Sequence, residues 1–230
     1  MCRLSIVVPT FNEALTLQET LQRLQSLRVV GHEVLLVDGG SSDGTQTLAK
    51  PLVDRVMQAP RGRARQMNVG ASVATGDVLL FLHADTTLPE ATPRLLCAAL
   101  RRPGVAWGRF DVRLSGQQFR YRIIEFFMNL RSRLTGIATG DQALFVKRDV
   151  FQQLGGFPDL PLMEDLALSR RLKRQARPIC LQARVTTSSR RWERDGWLRT
   201  VLLMWGLRLA FALGVSPARL ARVYYGSRPS

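Results

Sequence analysis

The sequence holds only three cysteines in 230 residues, Cys2, Cys97 and Cys180, an odd number set far apart. That spacing fits neither a disulfide framework nor a metal cluster, and a reducing, cytoplasmic location is expected. No stretch reaches the ~18 consecutive apolar residues of a membrane-spanning helix. The apolar run over residues 4–8 ends at Pro9, too short for a secretory signal, so nothing directs export. No G-x-G-x-x-G turn follows that run and no Gly-Lys-Ser/Thr phosphate loop occurs anywhere, which moves dinucleotide oxidoreductases and P-loop ATPases down the ranking. Acidic residues are scarce in the later part alone. Residues 1–90 hold 8 Lys and Arg against 9 Asp and Glu, whereas residues 91–230 hold 25 against 9, leaving the first part at −1 and the second at +16. Such asymmetry points to a polyanionic partner: nucleic acid, an anionic membrane surface or a phosphorylated substrate. No recognition helix, zinc pattern or aromatic RNA-binding motif accompanies the charge, so no specific nucleic-acid partner is expected.

What is present suits a globular enzyme, since 46% apolar residues are ample for a core. Leu17, Leu21, Leu24 and Leu27 recur at helical spacing behind an Asn12 cap, and Val34–Val37 reads as a buried strand. A short helix is expected after Thr45, a strand over Val53–Met57, a helix over Arg63–Ala74 and a strand over Val78–Leu82. This alternation predicts an α/β fold with a mostly parallel sheet. Three strands then deliver polar groups to the carboxyl edge, where open α/β sheets bind nucleotides. They are Ser5–Glu13, Val34–Thr45 with its glycine turn, and Leu79–Asp85, a buried strand ending in a lone carboxylate.

The order and spacing of several motifs resemble the glycosyltransferase family 2 enzymes of the GT-A fold, over roughly the first 180 residues. The motifs are Val-Val-Pro-Thr-Phe-Asn-Glu at 7–13, Val-Asp-Gly-Gly-Ser-Ser-Asp-Gly-Thr at 37–45, Ala-Arg-Gln-Met-Asn-Val-Gly at 64–70 and Phe-Leu-His-Ala-Asp at 81–85. Gly140-Asp141-Gln142, Gly155-Gly156-Phe157 and Glu164-Asp165 follow in family order. The resemblance implies a Rossmann-like GT-A sheet flanked by helices, and inverting sugar transfer from a nucleotide-sugar donor, by default UDP-linked, to an unknown hydroxyl acceptor. One domain over residues 1–230 is expected, with a nucleotide-sugar part (1–115), an acceptor part (116–195) and a C-terminal helical tail (196–230).

A nucleoside diphosphate leaving group needs a hard cation on oxygen ligands, and the resemblance implies Mg²⁺ or Mn²⁺ at Asp85. The family's Asp-x-Asp motif has His83 at its first position here, so His83 is either a ligand or a packed histidine. By resemblance, Pro9, Thr10, Asn12, Glu13, Asp38, Gly40, Arg65, Asn68, His83, Ala84 and Asp85 hold the nucleotide sugar. Read alone, Asp38 and Gly40 are turn residues, while Arg63, Arg65 and Asn68 serve equally as a solvated helix face. Asp165 is the implied general base with Glu164 beside it, although acids at a helix start are favoured by the dipole in any case. Asp141, Gln142, Arg191 and Trp192 are the implied acceptor or diphosphate contacts. Ser188-Ser189-Arg190-Arg191-Trp192 partly resembles the Gln-x-x-Arg-Trp motif of processive members, without its glutamine; an exposed basic strand end is the alternative.

Two later segments bear on location. At about 100° per residue, Phe119, Ile123, Phe126, Phe127, Leu130 and Leu134 form one stripe flanked by arginines, which suits an interfacial helix or a core helix with arginines on its edges. Trp197–Val215 is apolar nearly all round but interrupted by Arg199 and Arg208, so it is buried, lies on a membrane, or contacts a second copy. Peripheral contact with an anionic membrane or a homodimer is favoured over insertion. His83-Ala84-Asp85-Thr86, Pro161–Asp165 and Ser189–Trp197 further resemble a compact bacterial subset of the family assigned to arsenosugar biosynthesis. The alternatives to a transferase are a noncatalytic sugar-nucleotide binder on the same fold and a basic nucleic-acid-binding protein.

Overall fold

Residues Leu4–Thr10 (β1) and Glu33–Asp38 (β2) are apolar at almost every position because helices cover both faces of the strands they form. The computed structural model describes residues 2–226, so residues 227–230 of the expected tail lie outside it. Between and after these strands come α1 (Ala14–Arg23), α2 (Gln25–Val29), α3 (Thr45–Ala49), β3 (Arg55–Gln58), α4 (Arg63–Val73), β4 (Val78–Phe81), β5 (Thr86–Thr87) and α5 (Thr92–Leu100). The second half contains β6 (Trp107–Leu114), α6 (Phe119–Thr135), β7 (Phe145–Lys147), α7 (Arg148–Gln153), α8 (Glu164–Gln175), β8 (Ile179–Thr187), α9 (Arg190–Arg194), α10 (Trp197–Ala212) and α11 (Pro217–Gly226).

The strands form one mixed sheet in the order β3-β2-β1-β4-β7-β6-β8-β5. Strands β1 to β4 pair in parallel, as the alternation predicts, and β7 joins the two halves by pairing antiparallel with both β4 and β6. Alternate residues of the central strands divide between two cores. Ile6, Val8, Leu36 and Leu80 pack with Leu17 and Leu21 of α1 and Leu96 of α5, while Val7, Leu35 and Phe81 pack with Met67 of α4 and Leu168 of α8. Pro9 sits in β1 past the Val7–Phe81 pair that ends the β4 ladder, where a missing N–H breaks no strand pairing.

Three local expectations are corrected. Asn12 does not cap α1: it adopts a left-handed φ of 53°, its side-chain oxygen accepts the Ser42 amide at 2.9 Å, and Glu13 precedes the helix. The Asp43 carboxylate accepts the Ala14 amide instead, at 3.0 Å, so the cap comes from the neighbouring loop. The helix expected through Leu27 is two helices that meet at Leu24. The third strand starts at Arg55 because Lys50–Leu52, with Pro51, form a 3-10 turn.

Helix α6 resolves its two readings against the core helix. Phe119, Phe126 and Leu134 of its apolar stripe are exposed, and Tyr121, Ile124, Glu125 and Ser132 are the buried residues. The cause lies in β6, whose pairing with the short β7 stops at Gly108. Past that point one backbone edge has no strand beside it, and α6 supplies the partners: Asn129 accepts from the Val112 amide (2.9 Å) and donates to its carbonyl (3.0 Å), and Glu125 accepts from the Leu114 amide (2.6 Å). A polar face turned inward sends the apolar stripe outward. No described helix is long and apolar enough to cross a membrane.

Helix α4 approaches β1 closely only because residue 70 is glycine: a Cβ there would lie 2.4 Å from Cγ1 of Val7 and 3.1 Å from Cγ2 of Val37. Gly70→Ala is therefore expected to destabilise the protein by about 1–3 kcal/mol through overpacking. Urea denaturation measures this, and an unchanged midpoint would show that the helix can shift without cost.

Candidate functional site

At the carboxyl edge of the sheet a cavity of about 560 Å³ opens between the two halves. Of the residues singled out from sequence, it collects Pro9, Thr10 and Glu13 from the end of β1, and His83, Ala84 and Asp85 from the end of β4. From the second half it adds Asp141, Glu164 and Asp165, then Arg191 and Trp192. Segments distant in sequence thus share one space.

The others are placed elsewhere. Asp38 is fully buried, and its carboxylate accepts from the Gly40 amide (2.9 Å), the Ser41 amide (2.7 Å) and hydroxyl, the Gln46 side chain (2.8 Å) and the Thr10 hydroxyl (3.3 Å). Those donors make Asp38 and Gly40 part of the turn after β2, and neither lines the cavity. Burial disfavours the charge on Asp38, but the bonds from Ser41, Gln46 and Gly40 outweigh it and hold the carboxyl below its ordinary range. Asn12 ties the β1 loop to the β2 loop through Ser42. Arg65 pairs with Asp159 at 2.8 Å on the surface and does not line the cavity, whereas Arg63, about 200° away round the helix, lines it. Asn68 clamps the backbone of Phe157, donating to its carbonyl (2.8 Å) and accepting its amide (2.9 Å). Gln142 is buried and accepts the Thr139 amide at 3.2 Å, closing a tight turn rather than facing a ligand.

Within the cavity the contacts run in a chain. Nδ1 of His83 lies 3.3 Å from Oδ1 of Asp141. The preceding Gly140 is compulsory, because a Cβ would come 2.4 Å from Nε2 of His83. Gly140 donates its amide to Oδ2 of Asp165 at 2.9 Å, while Oδ1 of Asp165 accepts the Leu166 amide at 2.7 Å. Met163, held at a left-handed φ of 67°, turns the chain into α8 and so sets where Glu164 and Asp165 emerge; Ala143, at φ 46°, does the same after the Asp141 turn.

The electrostatics follow from enclosure and crowding. Enclosure by the cavity walls disfavours a charge on Asp141, but His83, Arg63 and Arg191 more than offset it and hold Asp141 well below the usual carboxylate range. Burial, reinforced by the charge of Asp165, pushes Glu164 up to about 7. For Arg63 enclosure opposes the charge, yet Glu164, Tyr224 and Asp141 keep it above the ordinary arginine value. Burial and the charge of Asp85, which lines the same cavity, likewise raise Glu13.

No group of three His, Cys, Asp or Glu among the described residues forms a ready-made metal cage. The donor set still fits Mg²⁺ or Mn²⁺ bound with substrate. Asp85 has only long contacts to the hydroxyls of Thr86 (3.4 Å) and Thr187 (3.5 Å), so its oxygens remain available. A hard cation of this kind is commonly held by one or two carboxylates plus phosphate oxygens.

Sequence reasoning missed Phe11, Arg61, Arg131 and Arg208, all of which line the cavity. Arg61 lies 4.0 Å over the Phe11 ring at the donor side. No spacing could have paired those two residues, and Arg131 and Arg208 sit on helices that the sequence linked only to location.

Residues 5–155 match the family model described as Glycosyl transferase family 2. Among curated proteins, the chain is 29% identical over 157 residues to the undecaprenyl-phosphate 4-deoxy-4-formamido-L-arabinose transferase of Sodalis glossinidius, covering 63% of this chain and 48% of that protein. It is 24% identical over 194 residues to the probable glycosyltransferase YdaM of Bacillus subtilis, covering 74% and 46%. The chain thus spans about half the length of these relatives. Among solved structures, S. aureus TarS (residues 1–349) superposes with a TM-score of 0.66 at 20% identity, covering 81% of this chain and 60% of that one. The mannosyltransferase PcManGT from Pyrobaculum calidifontis, solved with GDP-Man and Mn²⁺, gives 0.62 at 23% identity, covering 80% and 56%. The glucosyl-3-phosphoglycerate synthase of Mycobacterium tuberculosis, solved with UDP, Mn²⁺ and glucosyl-3-phosphoglycerate, gives 0.60 at 18% identity, covering 81% and 71%. The expected GT-A fold is the one these structures share with the chain.

The raised carboxyl of Glu164 has a consequence for stability. The folded protein holds that proton more tightly than the unfolded chain, so the contribution of Glu164 falls as pH rises from its ordinary 4.5 to about 7 and is level above that. Glu164→Gln, which keeps the neutral form, is expected to gain stability relative to the parent between pH 5 and pH 8. Urea midpoints at both pH values test this; an equal gap between parent and variant at each would mean that Glu164 titrates normally.

Proposed function

The chain belongs to glycosyl transferase family 2, and on that premise we propose that it moves a sugar, with inversion, from a nucleotide-sugar donor to a hydroxyl acceptor. The observation that carries this reading is the meeting of Asp85 with the Glu164–Asp165 pair in one cavity at the sheet's carboxyl edge. Asp85 is the residue to hold Mg²⁺ or Mn²⁺, with Glu13 close enough to share its field. When bound, the cation neutralises charge on the departing diphosphate. Arg63 and Arg61 line the same side and add positive charge where phosphate oxygens would lie.

Asp165 is the proposed general base. It takes the acceptor's hydroxyl proton as the oxygen bonds to the anomeric carbon, and the nucleoside diphosphate leaves with the electron pair of the broken bond. Its bond to the Gly140 amide fixes the carboxylate's direction before any substrate arrives, and that bond also ties it to the His83–Asp141 pair. Glu164, raised to about 7, is about half protonated near neutrality and so carries less of the pair's negative charge than an ordinary carboxylate would. Solved neighbours bound to GDP-Man or UDP support a nucleotide diphosphate in this place, and UDP is the first donor base to try.

Calorimetric titration with UDP and GDP, with and without Mn²⁺, tests the donor site. Binding of one nucleotide is expected to require Mn²⁺ and to be lost in Asp85→Ala. Asp165→Asn should keep that binding while lowering turnover of the matching sugar nucleotide by about 10²–10⁴-fold. Metal-dependent binding with no turnover of any donor by the parent would favour a noncatalytic sugar-nucleotide binder. Failure of both nucleotides to bind in all conditions would sink the donor site.

A further inference from the structure

Helices α6 and α10 are neighbours, Val201 of α10 packing against the cluster of Leu114, Tyr121 and Ile124. Each presents an apolar stripe that the rest of the chain leaves uncovered. On α6 the stripe runs through Phe126, Leu130 and Leu134, and on α10 through Leu198, Leu202 and Leu209. At about 100° per residue the α10 positions share one side of their helix, while Thr200 and Leu207 on the other side are buried. Ile123 and Phe127 of α6 and Trp205 of α10 stand where stripe and cavity wall meet, because they line the cavity and are exposed as well. The two stripes therefore flank the cavity mouth as one surface. Single exposed apolar residues need no explanation, but a patch continued over two adjacent helices marks a contact surface.

The charge around this patch has one sign. Arg120 and Arg133 of α6 and Arg199 of α10 are exposed. Helix α11, which packs on Leu207 of α10 through Leu220 and Tyr224, adds exposed Arg219 and Arg222. The only acid in the three helices is Glu125, and it is buried between Arg122 and the Leu114 amide. A second copy placed by a two-fold axis would set the patch against itself, so that cations meet cations with no acid to offset them. A bilayer with anionic head groups offers hydrocarbon to the stripes and countercharge to the arginines at once. Trp197 and Trp205 supply indole rings of the kind that settle at head-group level. Helix α10, at 16 residues and interrupted by Arg199 and Arg208, is too short to span and suits a place in the membrane plane.

We propose that α6 and α10 dock the protein on an anionic membrane surface. Both helices lie among the head groups, their stripes turned towards the acyl chains, and the cavity mouth between them faces the bilayer. The docking surface does not rest on the transferase reading above.

Vesicle flotation of the full chain, in about 0.1 M KCl, tests this. Vesicles of equal parts phosphatidylglycerol and phosphatidylcholine are expected to bind the protein about tenfold or more tightly than phosphatidylcholine alone. Phe126→Ser/Leu202→Ser changes two exposed positions outside the cavity. It should keep the parent's urea midpoint and bind the anionic vesicles about tenfold or more weakly. Leu130→Ser/Leu209→Ser gives the same answer if the first pair does not fold. Val29→Ser/Val30→Ser removes exposed apolar groups just before β2, at the opposite edge of the sheet, and should bind as the parent does. Arg120→Gln/Arg199→Gln should lose part of the preference for phosphatidylglycerol. Parent-like binding by both serine pairs of α6 and α10, equal affinity for the two kinds of vesicle, or equal weakening by the Val29/Val30 pair overturns the proposal. Failure to bind either vesicle overturns it as well, and a parent that then sediments as a dimer broken by Phe126→Ser/Leu202→Ser would make a second copy the cover.

Discussion

The open backbone edge of β6 decides how the second half of the molecule is built. A strand edge cannot be left buried and unmatched, and the neighbouring strand β7 is only three residues long. Helix α6 closes the edge with side chains, Asn129 standing in for a strand residue by both accepting and donating to Val112. Arg122 adds a bond to the Leu114 carbonyl at 2.9 Å. A helix committed to that task cannot also bury its apolar stripe there. The stripe therefore faces outward, and Ile124, Phe127 and Arg131, between the two faces, become cavity wall. The breadth of the cavity opposite the donor side thus follows from one short strand.

Positive charge in the second half divides between scaffold and surface. Arg109 is fully buried, paired with Asp111, and its guanidinium also donates to the Asn129 carbonyl at 3.1 Å. Arg133 shares the same Asp111. Arg191 is held by Tyr224, whose ring lies 4.5 Å beneath the guanidinium. These arginines brace β6 against α6 and α9 against α11. The +16 of residues 91–230 is accordingly in part a structural device and not wholly an attraction for partners.

The first half was the more legible in sequence, for a physical reason. Strands buried on both faces read as unbroken apolar runs, and β1, β2 and β4 stand within a residue or two of their expected bounds. The chain ends of those strands carry His83 and Asp85, which do reach the cavity. Asp38 shows where residue type leaves two readings open: a carboxylate at a strand end serves a ligand or a turn equally well, and the donors that tie it to the turn, Gln46 and Thr10, belong to other segments. Arg63 and Arg65 differ only in helical phase, which an uncertain helix start leaves undetermined. The face of α6 that turns inward depends on the length of β7, a strand that no local pattern measures. Arg131 and Arg208 meet across two helices, and such meetings are a property of packing alone.

Asn12, Ala143 and Met163, the non-glycine residues with left-handed backbone among those described, stand in the loops that lead to the cavity, and Met163 lines it. Each such conformation is disfavoured by about 1–2 kcal/mol, and the packing around it must hold it in place. Adaptation to heat and adaptation for turnover consequently pull on the same positions in opposite directions. A lineage selected for thermotolerance has an inexpensive gain available by relaxing these loops towards glycine, and would surrender with it the fixed directions of Glu164 and Asp165. Where such relatives exist in hot environments, they should reinforce the sheet and the helices and leave these three strained corners as they are.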